Sequence, residues 1–570
     1  MTRRGGQLPW GKSSRGIYDA RGGGGYRQLL ILALIVLGTL ALGWFLFSKA
    51  CGGEDCAKAY CASSKSIPAP DGYELVTRVY EYSAKATATP QTGTAFDLRV
   101  LLPLTKPTND SSSLSFYRYI EETKSWEPIT AAILDGTGKQ VSATLTDAPK
   151  LMAVLRRSSP GGQVVAYLGH NASLHAEAVG RVTLVHTLDF APAADGGVAG
   201  EVSKLKLDGA YEWYPVVAAN AGAKGAVAIV QGILANAQSR TNHVQQITKI
   251  VADGNLKGID IAYLDLTVND RNSYSLFIGE LAASLHAQNK RLTLTLPTPL
   301  RVADRVDEGG YDYAELGRAA DLVKLTPYRD QDTYRLAMPR ILQHLAGIIP
   351  PAKIVMTVSP YATEKGANGL TTMRITDAMS LATRLAIRGD AVQTSSNVDV
   401  YGVNIDRTEN LSGIRWAPDV ACVAFTYKES SGAGARTIWL ENVFSVGFKL
   451  EFITDAKLGG VAVEDASDNA FLGNIWPAIV TYVTTGQPQL LQPNPEDLQP
   501  VWRASKGPLE DTGKGFAHWV TPAEAGTYTI FLRLSDGVAR FENKADVNVK
   551  ARDAKTPTTG TPAAGATPVR

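Results

Sequence analysis

The chain has 570 residues, 45% of them hydrophobic and 20% charged, with 57 Lys and Arg against 55 Asp and Glu. That length holds roughly two to four domains and at least one large core. A formal net charge of +2 excludes the concentrated basic excess of a nucleic-acid binder.

The N-terminus carries its own charge pattern. Arg3, Arg4, Lys12, Arg15, Arg21 and Arg27 face a single Asp19, and residues 29–47 that follow are uncharged. At 1.5 Å per residue such a stretch crosses most of a ~30 Å hydrocarbon core. Trp44 and Phe45 lie where an interfacial aromatic belt belongs, and Lys49 follows. The expectation is a cytoplasmic basic tail at 1–28, an uncleaved transmembrane helix at 29–47, and everything after about residue 49 outside the cell. A cleavable signal peptide fits less well, because its apolar region is shorter and ends on small residues. Ser48-Lys49-Ala50 is also a poor approach to a lipoprotein cysteine at Cys51.

A cysteine-containing linker is expected at 48–69. Cys51, Cys56 and Cys61 crowd there, and Cys422 stands far away. An oxidising exterior permits a disulfide among the first three, with one left free or joined to another chain. Their spacing is not C-x-x-C and no histidine lies near, which argues against zinc.

From 70 to 157 the pattern is that of a small β-sandwich. Strands are predicted at 96–101, 114–120 and 141–145, with Glu121-Glu122-Thr123-Lys124 turning the chain into Trp126. Ser158-Ser159-Pro160-Gly161-Gly162 reads as a linker. Beyond it, short apolar strands alternate with helical stretches, the texture of parallel βαβ units. Strands are predicted at 164–168, 182–188, 226–230, 258–264, 292–296, 322–326, 354–358 and 460–464. Eight of them across 163–485 give an α/β fold, a (β/α)8 TIM barrel. Tyr274, Phe277, Ile278, Leu281 and Leu285 make one apolar helical stripe. An insertion is expected at 398–441, with its own strands at 398–404 and 422–427. A second linker opens at 493–496. The alternation through Gly526-Thr527-Tyr528-Thr529-Ile530-Phe531-Leu532 and the turn Ser535-Asp536-Gly537 make 497–550 another all-β domain, which resembles a bacterial immunoglobulin-like module. The tail at 551–570, rich in Thr, Pro, Gly and Ala, is expected to be disordered.

The fourth barrel strand runs Lys257-Gly258-Ile259-Asp260-Ile261-Ala262-Tyr263-Leu264. Upstream stand Phe190-Ala191-Pro192 and Asp195-Gly196. Downstream come Lys290 to Pro297, then Lys324-Leu325-Thr326-Pro327-Tyr328, Thr437 to Asn442, and Gly459-Gly460-Val461-Ala462-Val463. In order and spacing these resemble the family 18 glycoside hydrolases, the chitinase family, whose signature is D-G-x-D-x-D-x-E. That resemblance implies a barrel whose glutamate protonates the glycosidic oxygen while the substrate's N-acetyl group attacks, an exception to the two-carboxylate scheme.

The chain departs from the pattern where the chemistry lies. Alternate strand residues share a face, so Asp260, Ala262 and Leu264 should all point into the barrel. Ala262 stands where the family has its second aspartate, and Leu264 where it has the acid. Such an acid is worth roughly 10²- to 10⁴-fold. Asp265 falls on the opposite face and reads as a strand-end or helix-capping carboxylate. Tyr328 matches the family's tyrosine, but Arg329 replaces the acid after it and Glu464 replaces the floor tryptophan.

The seven histidines show no metal-ligand spacing, no Ser/His/Asp order suggests a nucleophile, and no cofactor is expected. The sequence therefore points to a membrane-anchored surface protein whose barrel has lost its acid. It is expected to hold a polysaccharide, one containing N-acetylglucosamine, through Asp260, Tyr328 and Glu464. A purely structural role is the alternative, and a hydrolase using Asp260 and Glu464 as a carboxylate pair is another. Tyr361 and Trp416 are candidate exposed aromatics that would favour binding.

Overall fold

The computed structural model describes residues 56–57, 60–70, 73–82, 98–108, 114–145, 147–157, 162–205, 211–220, 222–223, 225–387, 392–405, 413–428 and 434–552. The basic tail at 1–28, the apolar span at 29–47, Cys51 and the tail beyond 552 lie outside them. Among the described residues no helix is long and apolar enough to cross a membrane. The described residues divide into two compact units, a small one holding 56–57, 60–62 and 81–82 and a large one formed by the rest. In the small unit Cys56–Ala57 pairs antiparallel with Tyr60–Ala62. Cys61 is disulfide-bonded, whereas Cys422 in the large unit is a buried free thiol.

The large unit is built around a closed barrel of eight parallel strands: β1 (Gln163–Gly169), β2 (Leu184–Pro192), β3 (Val216–Ala219), β4 (Gly258–Tyr263), β5 (Arg291–Leu296), β6 (Leu322–Leu325), β7 (Ile354–Val358) and β8 (Gly460–Val463). Each pairs with the next, and β8 returns to β1. Period-two alternation divides the side chains between two cores. Val165, Leu184, Val216, Ala262, Leu322, Val355 and Ala462 fill the interior, while Val164, Val185, Val217, Ile261, Leu294, Val323 and Val461 meet the surrounding helices. The closing seam needs glycine. A Cβ on Gly162, at φ 78°, would lie 2.5 Å from the Gly459 carbonyl oxygen, and one on Gly460 would meet the Gln163 amide nitrogen at 2.5 Å.

Seven of the eight predicted strands occur within a residue or two of their expected starts, but the third does not. The run at 226–230 is the first half of α1 (Ala226–Ala235), and the strand in that place is Val216–Ala219. A short apolar run suits a buried helix or a strand equally. Here Gly225 turns the chain in left-handed geometry into α1, and Asn236 then caps α2 (Ala237–Asp253), its side chain accepting from the Ser239 amide at 2.9 Å. The predicted apolar stripe is real: Tyr274, Phe277, Ile278, Leu281 and Leu285 are the buried face of α3 (Arg271–His286). The short α4 (Tyr313–Ala319) and then α5 (Gln331–Ala346) follow β5 and β6.

The insertion is larger than expected. It fills the chain between β7 and α7 (Val443–Asp455) and contains α6 (Ile375–Ala382) and a five-stranded antiparallel sheet that includes Cys422–Lys428 and Ala435–Leu440. Its strand Asn397–Gly402 belongs elsewhere. It pairs with Leu385–Ile387 on one side and Phe516–Val520 on the other. Val398, Val400 and Trp519 from that sheet share a core with Ile530, Val547 and Val549 of the C-terminal three-stranded sheet. Region 497–550 is therefore completed by strands of the insertion and does not stand alone.

The first β domain also has two antiparallel sheets, one containing Leu114–Ile120 and Leu151–Arg157, the other Leu98–Pro103 and Gln140–Leu145. It packs against the N-terminal ends of β4 and β5. The buried Arg291 guanidinium donates to the Leu114 carbonyl and, at 3.4 Å, to that of Ala132. Lys257 Nζ reaches the Ile129 carbonyl at 3.0 Å, and the Asn289 amide that of Thr144 at 3.3 Å. With that end covered, the strand C-termini remain as the mouth, where such barrels carry their sites.

Candidate functional site: the barrel mouth and its charged floor

On β4, Ile259, Ile261 and Tyr263 join the outer core, and Ala262 lies in the interior cluster. Asp260 is inward too, and fully buried. It accepts from Thr293 Oγ1 and Thr295 Oγ1, each at 2.7 Å, and from Lys324 Nζ at 2.6 Å. The Tyr167 hydroxyl meets Thr295 at 2.5 Å, and His186 Nδ1 donates to the Tyr214 carbonyl at 2.8 Å. Burial pushes the Asp260 carboxyl up, but the Lys324 ammonium, with His186 and the hydroxyl donors, outweighs it and holds the group below the ordinary carboxylate range. Burial, reinforced by Lys324, pushes His186 down to about 4, so its ring is neutral near pH 7. Asp260 is thus an ionised core residue with no solvent exposure, set beneath the cleft in which a ligand contact was expected.

Leu264 is half-buried, one residue past the end of β4, its amide bonded to the Ala219 carbonyl at 2.7 Å. Asp265 is exposed and takes a left-handed φ of 63°. It does not cap the following helical turn; Thr267 and Asp270 form that capping box.

Three neighbouring strand ends supply the mouth's polar ring. Arg329 follows β6, Ser359 follows β7, and Glu464 follows β8. The Arg329 guanidinium donates to Glu464 Oε1 and, at 2.8 Å, to Ser359 Oγ. Ser359 in turn donates to Glu464 Oε2 at 2.6 Å. The two side chains are 23% and 30% exposed. Arg329 and Glu464, expected separately from the sequence, thus pair with each other. Opposite charges at the ends of β6 and β8 were the signal for it, once both strands are known to flank β7.

Beside this ring the Tyr361 hydroxyl donates to Asp465 at 2.6 Å; burial and that carboxylate raise it above the ordinary tyrosine range. Tyr328 is half-buried, its hydroxyl 2.9 Å from Thr333 Oγ1 and its ring edge-on to Tyr334. Trp416 packs edge-on against Phe444 and against the core of the insertion, so it is a packing residue. An aromatic not singled out from the sequence is more open. Phe471, in the loop after β8, is 51% exposed, with the Arg374 guanidinium 4.9 Å from its ring centre. Its place in the polar run Asp468-Asn469-Ala470-Phe471 was the available clue.

Histidine, serine and aspartate do meet at the ends of β1 and β2. Asp189 accepts from His170 Nδ1 at 2.9 Å, from Thr187 Oγ1 at 2.6 Å, and from Ser203 through its hydroxyl at 2.5 Å and its amide at 3.0 Å. Ser203 Oγ approaches the same ring nitrogen, Nδ1, at 3.2 Å. A relay needs the histidine to join serine and carboxylate through different nitrogens, so this cluster fixes the ring and does not activate the serine. Among the described residues no group of three or more His, Cys, Asp or Glu could hold a metal ion.

Residues 224–467 match the model of the glycosyl hydrolases family 18. No curated protein matches the chain. Among solved structures it is similar to a chitinase from Chromobacterium violaceum (19% identity over 56% of this chain and 98% of that one, TM-score 0.41). It is also similar to the Bacillus cereus spore cortex-lytic enzyme SleL (16%, 61% and 78%, TM-score 0.43), and to a family 18 N-acetylglucosaminidase from Paenibacillus barengoltzii (12%, 56% and 99%, TM-score 0.39). At those identities and scores they lend no residue's role to this chain. The match takes in the fourth to eighth strands of the barrel, and over those residues the chain is similar to the glycosyl hydrolases family 18.

Proposed function

We propose that the protein is a membrane-anchored surface protein whose barrel binds a polysaccharide without cleaving it. The observation that carries this reading is the mouth itself. An Arg329–Ser359–Glu464 ring, the Tyr361–Asp465 pair and the exposed face of Phe471 combine planar polar groups for hydroxyls with an apolar ring for a sugar face. Ala262 and Leu264 offer neither charge nor proton at the family's catalytic positions. Tyr328 and Glu464 are the rim contacts in this reading, and Asp260 supports them from below. The span at 29–47 anchors the chain with its later domains outside. A cysteine among Cys51 and Cys56 that is not bonded to Cys61 is available to a second chain.

The test is binding of N-acetylglucosamine oligosaccharides to the full-length protein in detergent, with Phe471→Ala as the probe. A loss of roughly tenfold in affinity, about 1.4 kcal/mol, supports the reading. Absence of binding to any glycan on an array favours the structural alternative, which the interlocking of insertion and C-terminal sheet also suits. The changed-mechanism hydrolase finds less support, since both of its carboxylates are already held by cations.

A further inference from the structure

Behind the mouth, between the ends of β6 and β7 and the start of α7, lies a cavity of about 10 Å3. Two of its lining residues, Gln331 and Thr357, are 2% and 6% exposed, and Gln331 Oε1 and Thr357 Oγ1 have no hydrogen-bond partner among the described residues. The Gln331 amide is not free to turn over. Its Nε2 donates to the carbonyls of Tyr328 at 3.3 Å and Arg329 at 3.1 Å, which fixes the oxygen as the orphaned atom. Leaving a buried acceptor unsatisfied costs about 1–3 kcal/mol, so two such atoms on residues that line one cavity point to an occupant.

The chemistry of the walls selects that occupant. Lys449 and Arg329 line the cavity, but Lys449 is paired with Glu441 and Arg329 with Glu464. A bound cation would face the Lys449 ammonium and the Arg329 guanidinium, and a bound anion would face the Gln331 carbonyl oxygen and the Glu441 carboxylate. The site therefore suits a neutral group that both donates and accepts. Its volume, close to the 10–15 Å3 that one water needs, admits nothing larger than a water molecule.

We infer that one ordered water is built into this cavity, donating to Gln331 Oε1 and bonded to Thr357 Oγ1. Its role follows from what Gln331 holds. The water fixes the amide oxygen, the amide nitrogen grips the Tyr328 and Arg329 carbonyls, and the Arg329 guanidinium closes the ring with Ser359 and Glu464. The water is thus a positioning element for Arg329, whatever ligand the mouth takes.

A high-resolution crystal structure of the full-length protein tests the site directly. A single peak within hydrogen-bond distance of both Gln331 Oε1 and Thr357 Oγ1 is expected. A direct protein donor to Gln331 Oε1, or an anomalous peak from crystals grown in bromide, overturns the assignment. Hydrogen–deuterium exchange tests the role. Thr357→Val should speed exchange several-fold across 328–332, and Thr357→Ser, which keeps the hydroxyl, should not. Equal exchange in the two variants overturns the positioning role.

Discussion

Two of the barrel's ion pairs are set apart by their surroundings. Lys324 and Asp260 meet in the interior with neither side chain exposed, whereas Arg329 and Glu464 meet at the mouth with about a quarter of each in water. In the interior a charge has no alternative partner, and losing one member strands the other. At the mouth water replaces a lost partner, so that pair contributes little to stability and stays free to exchange with a ligand. Similar chemistry thus makes a fixed floor in one place and a responsive surface a few residues further along the strands.

The largest effect that would break this contrast is expected at Lys324. Lys324→Ala leaves the Asp260 carboxylate buried and unpaired, and should cost about 3–5 kcal/mol in urea unfolding. Lys324→Met combined with Asp260→Asn should recover much of that loss. A wild-type midpoint in the single variant would show that the interior pair carries no structural weight.

Acid should act next, and on the floor. The His186 ring is held neutral in the fold, with its pKa lowered from 6.5 to about 4, so between those values the unfolded chain binds the extra proton. Stability therefore falls as pH drops from 6.5 towards 4, by roughly 3 kcal/mol. Asp260, also lowered, adds a further loss at lower pH, as its carboxylate protonates. His186→Gln should flatten the first part of the curve in denaturant titrations run at pH 7 and pH 4.5. An unchanged slope would remove His186 from the account.

Smaller still, Arg329→Ala should change stability by no more than about 1 kcal/mol while weakening any glycan complex. Salt should mimic it, because partly exposed pairs are screened at a Debye length of about 8 Å and buried ones are not. A loss as large as that at Lys324 would erase the distinction between the two pairs. The smallest expected signal is none at all: no hydrolysis of chitin oligosaccharides by the unaltered protein, with trace turnover at most after Ala262→Asp with Leu264→Glu. Turnover abolished by Glu464→Gln, in a variant that keeps its stability, would instead establish a changed mechanism.

The sequence made the barrel legible because parallel strands buried on both faces read as local apolar runs, and because the α3 stripe is periodic. It failed at 226–230, where five apolar residues fit either element, and at 398–404, where a correctly expected strand found its partner in a distant segment. The site divided the same way. Identities at 260, 262, 264, 328, 329 and 464 were plain, but their pairing depends on which strands are neighbours. Nothing local in Asp260 announces Lys324, which lies two strands away on β6.

The pairing of Asn397–Gly402 with Phe516–Val520 also sets a timetable for synthesis. Its two halves leave the ribosome roughly 120 residues apart, which at 5–20 residues per second is a wait of about 6–24 s. Throughout that interval the insertion presents an unpaired strand edge, open to any extended chain nearby. A gene fragment that stops near residue 497 would make the wait permanent, and its product should gather in aggregates although every barrel strand is present.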